Sequence, residues 1–253
     1  MTDTPAGSRV IREPFPPVAA ALRENPADGA LLALFAGGEC LVGPDPVRAQ
    51  VPPFFLALTP VTNAQYRKFI AATGHRPPDQ GDWSSPIWIR GEFPPEMADC
   101  PVACVGYQDA EAYCQWAGLR LPTSLEWEAA ARGVDGRTFP WGNGWDPEKC
   151  WNADNADGSP PRGVWTRPEG CSPWGMYNMA GNIWEWTADW HDMDLEERWR
   201  AGDFSRPDRG ATRIVRGGSR LCRKPGDFAC ASLSRRVPED RFDTLGFRCA
   251  ADL

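Results

Sequence analysis

GMYNMAGNIWEWTADW, residues 175–190, joins a glycine turn to a short aromatic segment. NIWEWTADW alternates only in part and reads as a short strand. Asn178 and Glu185 flank the turn, and its backbone carbonyls can complete a cage of hard oxygen donors of the kind calcium takes. The competing reading is plain turn chemistry, because Asn, Asp and Gly favour turns without any ion. A second oxygen-rich stretch, WNADNADG at 151–158, places Asn152, Asp154, Asn155 and Asp157 among small residues. Neither stretch matches an EF-hand.

Outward from there the chain keeps the same character. Its 253 residues include 26 Pro, 25 Gly and 13 Trp, which predicts many turns, short elements and aromatic packing in place of long helices. Two main helices are expected. The first lies in TPVTNAQYRKFIAATG, with Thr62 and Gln65 as a capping box and Gly74 as its stop. The second region begins with YQDAEAYCQWAG, helical by period and ending at Gly118. RLPTSLEWEAAARG follows it, with a second capping box at Thr123 and Glu126 and Gly133 as the stop.

GALLALFAGGECLVG reads as strand, turn, strand, and TRIVRGGS and TLGFRCAA are further short strands. FPWGNGWDPEKCWNADNADGSPPRG is a long loop, of the sort that is functional or tied down. Residues 1–27 are polar and proline-punctuated and read as an N-terminal arm that packs weakly, with 28–253 as a single domain. No internal repeat occurs.

Totals exclude several classes. A net charge of −7 and a pI near 5.0 argue against a nucleic-acid partner, which needs a basic surplus. No run is apolar enough for a membrane span, and the N-terminus lacks signal-peptide design, so the cytoplasm is the default compartment, with surface display through a partner as the variant. Lysine occurs only at 68, 149 and 224; this arginine bias fits a GC-rich genome or a thermostable protein from a heat-adapted host. The two histidines, His75 and His191, read as ordinary surface residues.

The nine cysteines form no CxxC, which disfavours a zinc ribbon. In RGGSRLCRKPGDFACASLSRR, 216–236, Cys222 sits near Arg220, Arg223 and Lys224, and neighbouring cations make a thiolate more available. Against this stands the ordinary fate of cysteine as a small buried hydrophobe.

In order along the chain, PVTNAQYRKFIAATG, AYCQWAGLRLPTSLEWEAAARG, FPWGN, GMYNMAGNIWEWTADW, RIVRGGS and LGFRCAAD resemble the formylglycine-generating enzyme and sulfatase-modifying factor family, over residues 31–252. The resemblance implies an α+β, C-type-lectin-like fold with little regular structure, short antiparallel strands and structural calcium. One ion would use Asn152, and another Asn178, the carbonyls of Gly181 and Ile183, and Glu185. Cys114 and Cys249 match a family disulfide pair, so these two are expected to be neighbours.

Enzymes of that family oxidise a substrate cysteine using oxygen and copper(I) held by two cysteines, and soft thiolates suit Cu(I). Cys222, three residues after Ser219, matches the first. The second falls on Asp227 or, aligned backwards from Pro238, on Pro225. Cys230 is a displaced substitute; aligned backwards it matches instead a structural cysteine whose partner position is Ala131. Copper is therefore not expected, and no catalytic residue is assigned unless Cys222, Cys230 and Ser219 serve an oxidase.

The reading that follows is a non-catalytic display scaffold, akin to the variable proteins of diversity-generating retroelements. It would bind an unknown protein or other macromolecule through a variable loop at 220–244. Its contacts would be Arg220, Leu221, Cys222, Arg223, Phe228, Phe242, Asp243 and Thr244, residues that follow no helix or strand period. The alternative is a formylglycine-generating type oxidase using Cys222 with Cys230.

Overall fold

The computed structural model describes residues 21–82 and 84–253. Its three longer helices start where side chains satisfy backbone N–H groups at the helix start. Helix α1 (Asn63–Thr73) opens on the Thr62–Gln65 capping box and closes at Gly74, whose left-handed φ of 70° returns its N–H to the Ile70 carbonyl. Helix α2 (Tyr107–Trp116) is capped by Asp109, which accepts the Gly106 N–H at 2.9 Å. Helix α3 (Ser124–Arg132) opens on the Thr123–Glu126 box.

A further short helix, α4 (Leu195–Arg200), was not anticipated. It spans under two turns, too few for a periodic signal, and is held by burial of Leu195 and Trp199. Among the described residues α4 is the one α-helix outside the segments read as helical.

The strands form two four-stranded sheets and a hairpin. One sheet runs β1 (Leu22–Glu24), β2 (Leu31–Phe35), β5 (Phe54–Ala57), β10 (Ala250–Ala251), all antiparallel. The hairpin pairs β3 (Gly38–Val42) with β4 (Val47–Val51). The other sheet has the order β8 (Leu233–Arg236), β7 (Arg213–Arg216), β6 (Trp184–Trp190), β9 (Leu245–Phe247).

Three details go beyond the expectations. GALLALFAGGECLVG forms strand, turn, strand as read, and the Gly37–Gly38 turn sends the two strands into different sheets. The strand pairs are antiparallel as expected except for β6 with β9, which run parallel. Leu22–Glu24 pairs with β2 through Leu22↔Ala33, so the last part of the 1–27 arm joins the first sheet; residues 1–20 lie outside the described residues.

Two apolar clusters carry the interior. One gathers Phe35, Phe54, Trp127, Ile214 and Cys230, and the other Tyr66, Tyr113, Trp186 and Phe247. Each such buried Phe contributes about 2 kcal/mol over an exposed one. Two ionic clusters are sealed in the interior. Glu128 accepts from Arg132 and Arg216 at 3.1 Å each, and Glu185 accepts from Arg248 at 2.6 and 2.7 Å. Arg216 also donates to Ser124 Oγ and to the carbonyls of Cys230, Ala231 and Ser232. One guanidinium thus fixes α3 and the chain leading into β8 relative to β7.

Candidate functional site

The site is built where three backbone segments meet at glycines. β7 leads into Gly217 and Gly218, both at positive φ (98° and 73°). A Cβ on Gly218 would lie 2.9 Å from the Asp227 carbonyl, so the turn closes only without a side chain there. Gly181 is tighter still, 2.2 Å from the Trp151 carbonyl by the same test. Its N–H donates to the Gly217 carbonyl at 2.8 Å, Asn182 N–H to Trp151 at 3.0 Å, and Arg220 N–H to Asn182 at 3.0 Å. The 151, 181 and 217–220 segments are therefore one stitched unit.

Cys222 sits at the mouth of this unit. Its sulfur accepts the Ser219 N–H at 3.4 Å and touches Ser219 Oγ at 3.6 Å, while its carbonyl takes the Ala153 N–H at 2.9 Å. It is half-buried, and the other eight cysteines are buried. Beneath it lies an aromatic cluster of Phe139, Cys150, Ala180 and Phe228, flanked by Trp141 and Trp145. Burial pushes the Cys150 thiol up to about 12; the Asn152 hydrogen bond opposes that rise, and the Cys222 sulfur adds to it. Cys150 was not singled out from sequence, because nothing within 139–163 marks which side of the loop faces the 216–222 turn.

The eight expected contact residues divide. Leu221 is 55 % exposed, and Arg223 is exposed and pairs with Asp154 at 2.7 Å. Phe242, Asp243 and Thr244 are half-buried; Arg236 lies over the Phe242 ring, and the Thr244 carbonyl accepts the Trp184 N–H at 2.7 Å. Arg220 and Phe228 are not surface contacts. Arg220 is buried, donating to the Ser159 carbonyl at 2.7 Å and to the Asp243 carboxylate at 2.6 Å. Phe228 is wholly buried against the Trp145 ring.

Nor is 220–244 free of regular structure: Pro225–Phe228 is a 3-10 turn and Leu233–Arg236 is β8. A four-residue strand lacking clean alternation leaves no period to detect.

Cys230 does not join Cys222. It is fully buried in the main core with its N–H on the Thr138 carbonyl at 2.8 Å, and burial raises its thiol pKa far above the ordinary range. The Cys222–Cys230 pair therefore does not fit a copper clamp. Cys230 and Ala131 both belong to that core.

Four of the five expected calcium donors have partners within the chain. Glu185 is fully buried, with both oxygens on Arg248 and one also on Trp127 Nε1 at 2.8 Å. Asn178 Oδ1 accepts from Asn182 at 2.7 Å, and the Gly181 carbonyl accepts the Ile183 N–H at 2.9 Å. Asn152 caps its own turn, accepting from Asp154 N–H at 3.0 Å and donating to the Pro147 carbonyl at 2.8 Å. A guanidinium neutralises the one carboxylate of the expected cage, so that cage has no free anionic donor. Among the described residues no three His, Cys, Asp or Glu side chains gather as a metal site.

Cys114 and Cys249 do meet, with sulfurs 3.5 Å apart in the core. His75 is no isolated surface residue: its Nε2 lies 3.0 Å from Asp109 Oδ1, where Arg76 and Arg241 also converge. His191 is half-buried, which lowers its pKa. No helix among the described residues is long and apolar enough to cross a membrane.

Comparison with known proteins places this geometry. The chain is similar to the formylglycine-generating enzyme of Streptomyces coelicolor, at 35% identity over 86% of this chain and 84% of that protein. Its fold is similar to PvdO from Pseudomonas aeruginosa, with a TM-score of 0.76, 24% identity and coverage of 92% and 98% of the two chains. It is also similar to Treponema denticola variable protein 1, with a TM-score of 0.71, 21% identity and coverage of 92% and 99%. Residues 19–253 match the sulfatase-modifying factor enzyme 1-like domain. With the glycine-stitched 151/181/217 unit, the capping boxes and the Cys114–Cys249 contact all in place, the chain belongs to the sulfatase-modifying factor enzyme 1-like family.

Proposed function

We propose that this chain is a ligand-binding member of the family that does not carry out copper-dependent cysteine oxidation. The observation that carries the reading is the burial of Cys230 in the main core, away from the cluster under Cys222. With Cys230 in the main core, the Cys222–Cys230 sulfur pair that the oxidase reading needs is not assembled. The contact face would be the exposed strip Leu221–Lys224 with Phe242, Asp243 and Thr244 beside it, which offers apolar, aromatic and arginine side chains of the kind that dominate binding energy. Its partner is a protein or other macromolecule.

The narrower form, a diversified retroelement loop, is limited by Arg220 and Phe228. Randomising either would remove a buried salt bridge or a core ring, so diversification would have to spare them. The oxidase alternative draws its support from Cys222 standing at the matching position with Ser219 beside it, and from the 35% identical enzyme.

Anaerobic Cu(I) titration against a competing chelator, followed by oxygen and a cysteine-containing peptide, separates the readings. The expected result is no aldehyde product and no copper site that depends on Cys230. Peptide aldehyde formed by the wild type and lost in Cys222→Ser and Cys230→Ser would overturn the proposal.

A further inference from the structure

We propose that Cys222 and Cys150 form a thiol pair that exchanges with disulfides, Cys222 as the attacking sulfur and Cys150 as the resolving one. This goes beyond the binding reading and does not depend on it. Of the nine cysteines, Cys222 alone is not buried, so it is the sulfur a solution reagent reaches. The Ser219 N–H and hydroxyl hold that sulfur at the turn.

The other thiols are placed elsewhere. Cys114 and Cys249 contact each other, Cys40 and Cys230 belong to the main core, Cys104 lies against Ser84, Cys100 against Met97, and Cys171 hydrogen-bonds with Tyr177. Cys150 is the one buried in the cluster that Cys222 packs on. The two chain segments run side by side, because Ala153 N–H donates to the Cys222 carbonyl at 2.9 Å. Asn152 Nδ2 orients the buried member, donating to the Cys150 carbonyl at 3.3 Å and its sulfur at 3.8 Å. Residues 223–226 beyond Cys222 are exposed, so adjustment to disulfide geometry falls on the rim and leaves the core in place.

The chemistry balances with a small disulfide as the oxidant. Cys222 loses its proton to solvent and attacks one sulfur of the reagent; the S–S bond breaks, one thiolate departs and takes up a proton, and Cys222 carries a mixed disulfide. Cys150, deprotonated in turn, attacks the Cys222 sulfur and expels the second thiolate. Two protein thiols become one disulfide, and one reagent disulfide becomes two thiols.

The test uses the folded full chain with oxidised glutathione, alkylation of remaining thiols and peptide mapping by mass spectrometry. The expected wild-type product is a Cys150–Cys222 linked peptide with no glutathione retained on Cys222. Cys150→Ser and Cys150→Ala retain the glutathione adduct that the wild type clears, Cys222→Ser acquires none at this site, and Cys230→Ser behaves as wild type. Three wild-type results overturn the proposal: a retained adduct on Cys222, linkage of Cys222 to a different cysteine, or no reaction of Cys222. The wild-type map decides the matter even if a Cys150 variant fails to fold.

Discussion

Arg216 and Arg223 flank the same glycine turn and each pairs with a carboxylate, but the two pairs sit in opposite environments. Arg216 and Glu128 are both 0 % exposed, whereas Arg223 and Asp154 are 73 % and 61 % exposed. An exposed pair is screened by water and worth at most about 1 kcal/mol. Breaking a sealed pair strands an uncompensated charge and costs far more. The turn therefore divides an ionic frame that cannot change from a rim that can.

The largest effect belongs to the frame. Glu128→Ala leaves Arg216 and Arg132 without their carboxylate and should destabilise by about 3–5 kcal/mol, read as a lowered denaturant midpoint or as insoluble expression. A variant of wild-type stability would break the comparison outright. Phe228→Ala, within the segment expected to form the contact surface, should cost about 3 kcal/mol by leaving a cavity under Trp145; thermal melting checks it. A change near zero would return Phe228 to the binding face.

A smaller effect is expected with pH. The Cys150 thiol, ordinarily near 9, is raised by burial to about 12 in the folded chain, so the folded state holds its proton longer than the unfolded one. Stability is then full below pH 9 and falls as pH rises through this window, by about 1.4 kcal/mol per unit for such a thiol. Cys104 and Cys100, each raised to about 11, steepen the fall. Melting curves with pH should be level near neutrality and drop above pH 9, and Cys150→Ser should flatten the drop. The smallest effects belong to the rim: Arg223→Ala should change stability by less than about 0.5 kcal/mol, and chelation of calcium should leave the melting temperature unmoved.

Much of the fold was legible in the residues because its signals are local. A capping box needs a threonine and a Glu or Gln three residues on, so Thr62–Gln65 and Thr123–Glu126 marked two helix starts that the structure keeps. The family motifs led to the Cys114–Cys249 neighbours. Strand partners were not legible: the parallel pairing of β6 with β9 joins residues some 60 apart, and no local pattern encodes it. The site was read least well. Arg220 and Phe228 look like contact residues because arginine and phenylalanine serve equally in interfaces and interiors, and nothing in RLCRKPGDF states which side faces water.

The sequence by itself determined the family, the helix starts and the glycine turns, since each depends on residue type at short spacing and on backbone angles that only glycine adopts freely. The tertiary structure decided which cysteine stands beside Cys222, which arginines are sealed, and whether Asn178 and Glu185 face an ion or other side chains. Those outcomes depend on burial and on partners brought together from distant segments. Glu185 shows the reason: its carboxylate could serve calcium in isolation, but folding places Arg248 against both of its oxygens, and a fully buried carboxylate is held by the cation the chain itself supplies.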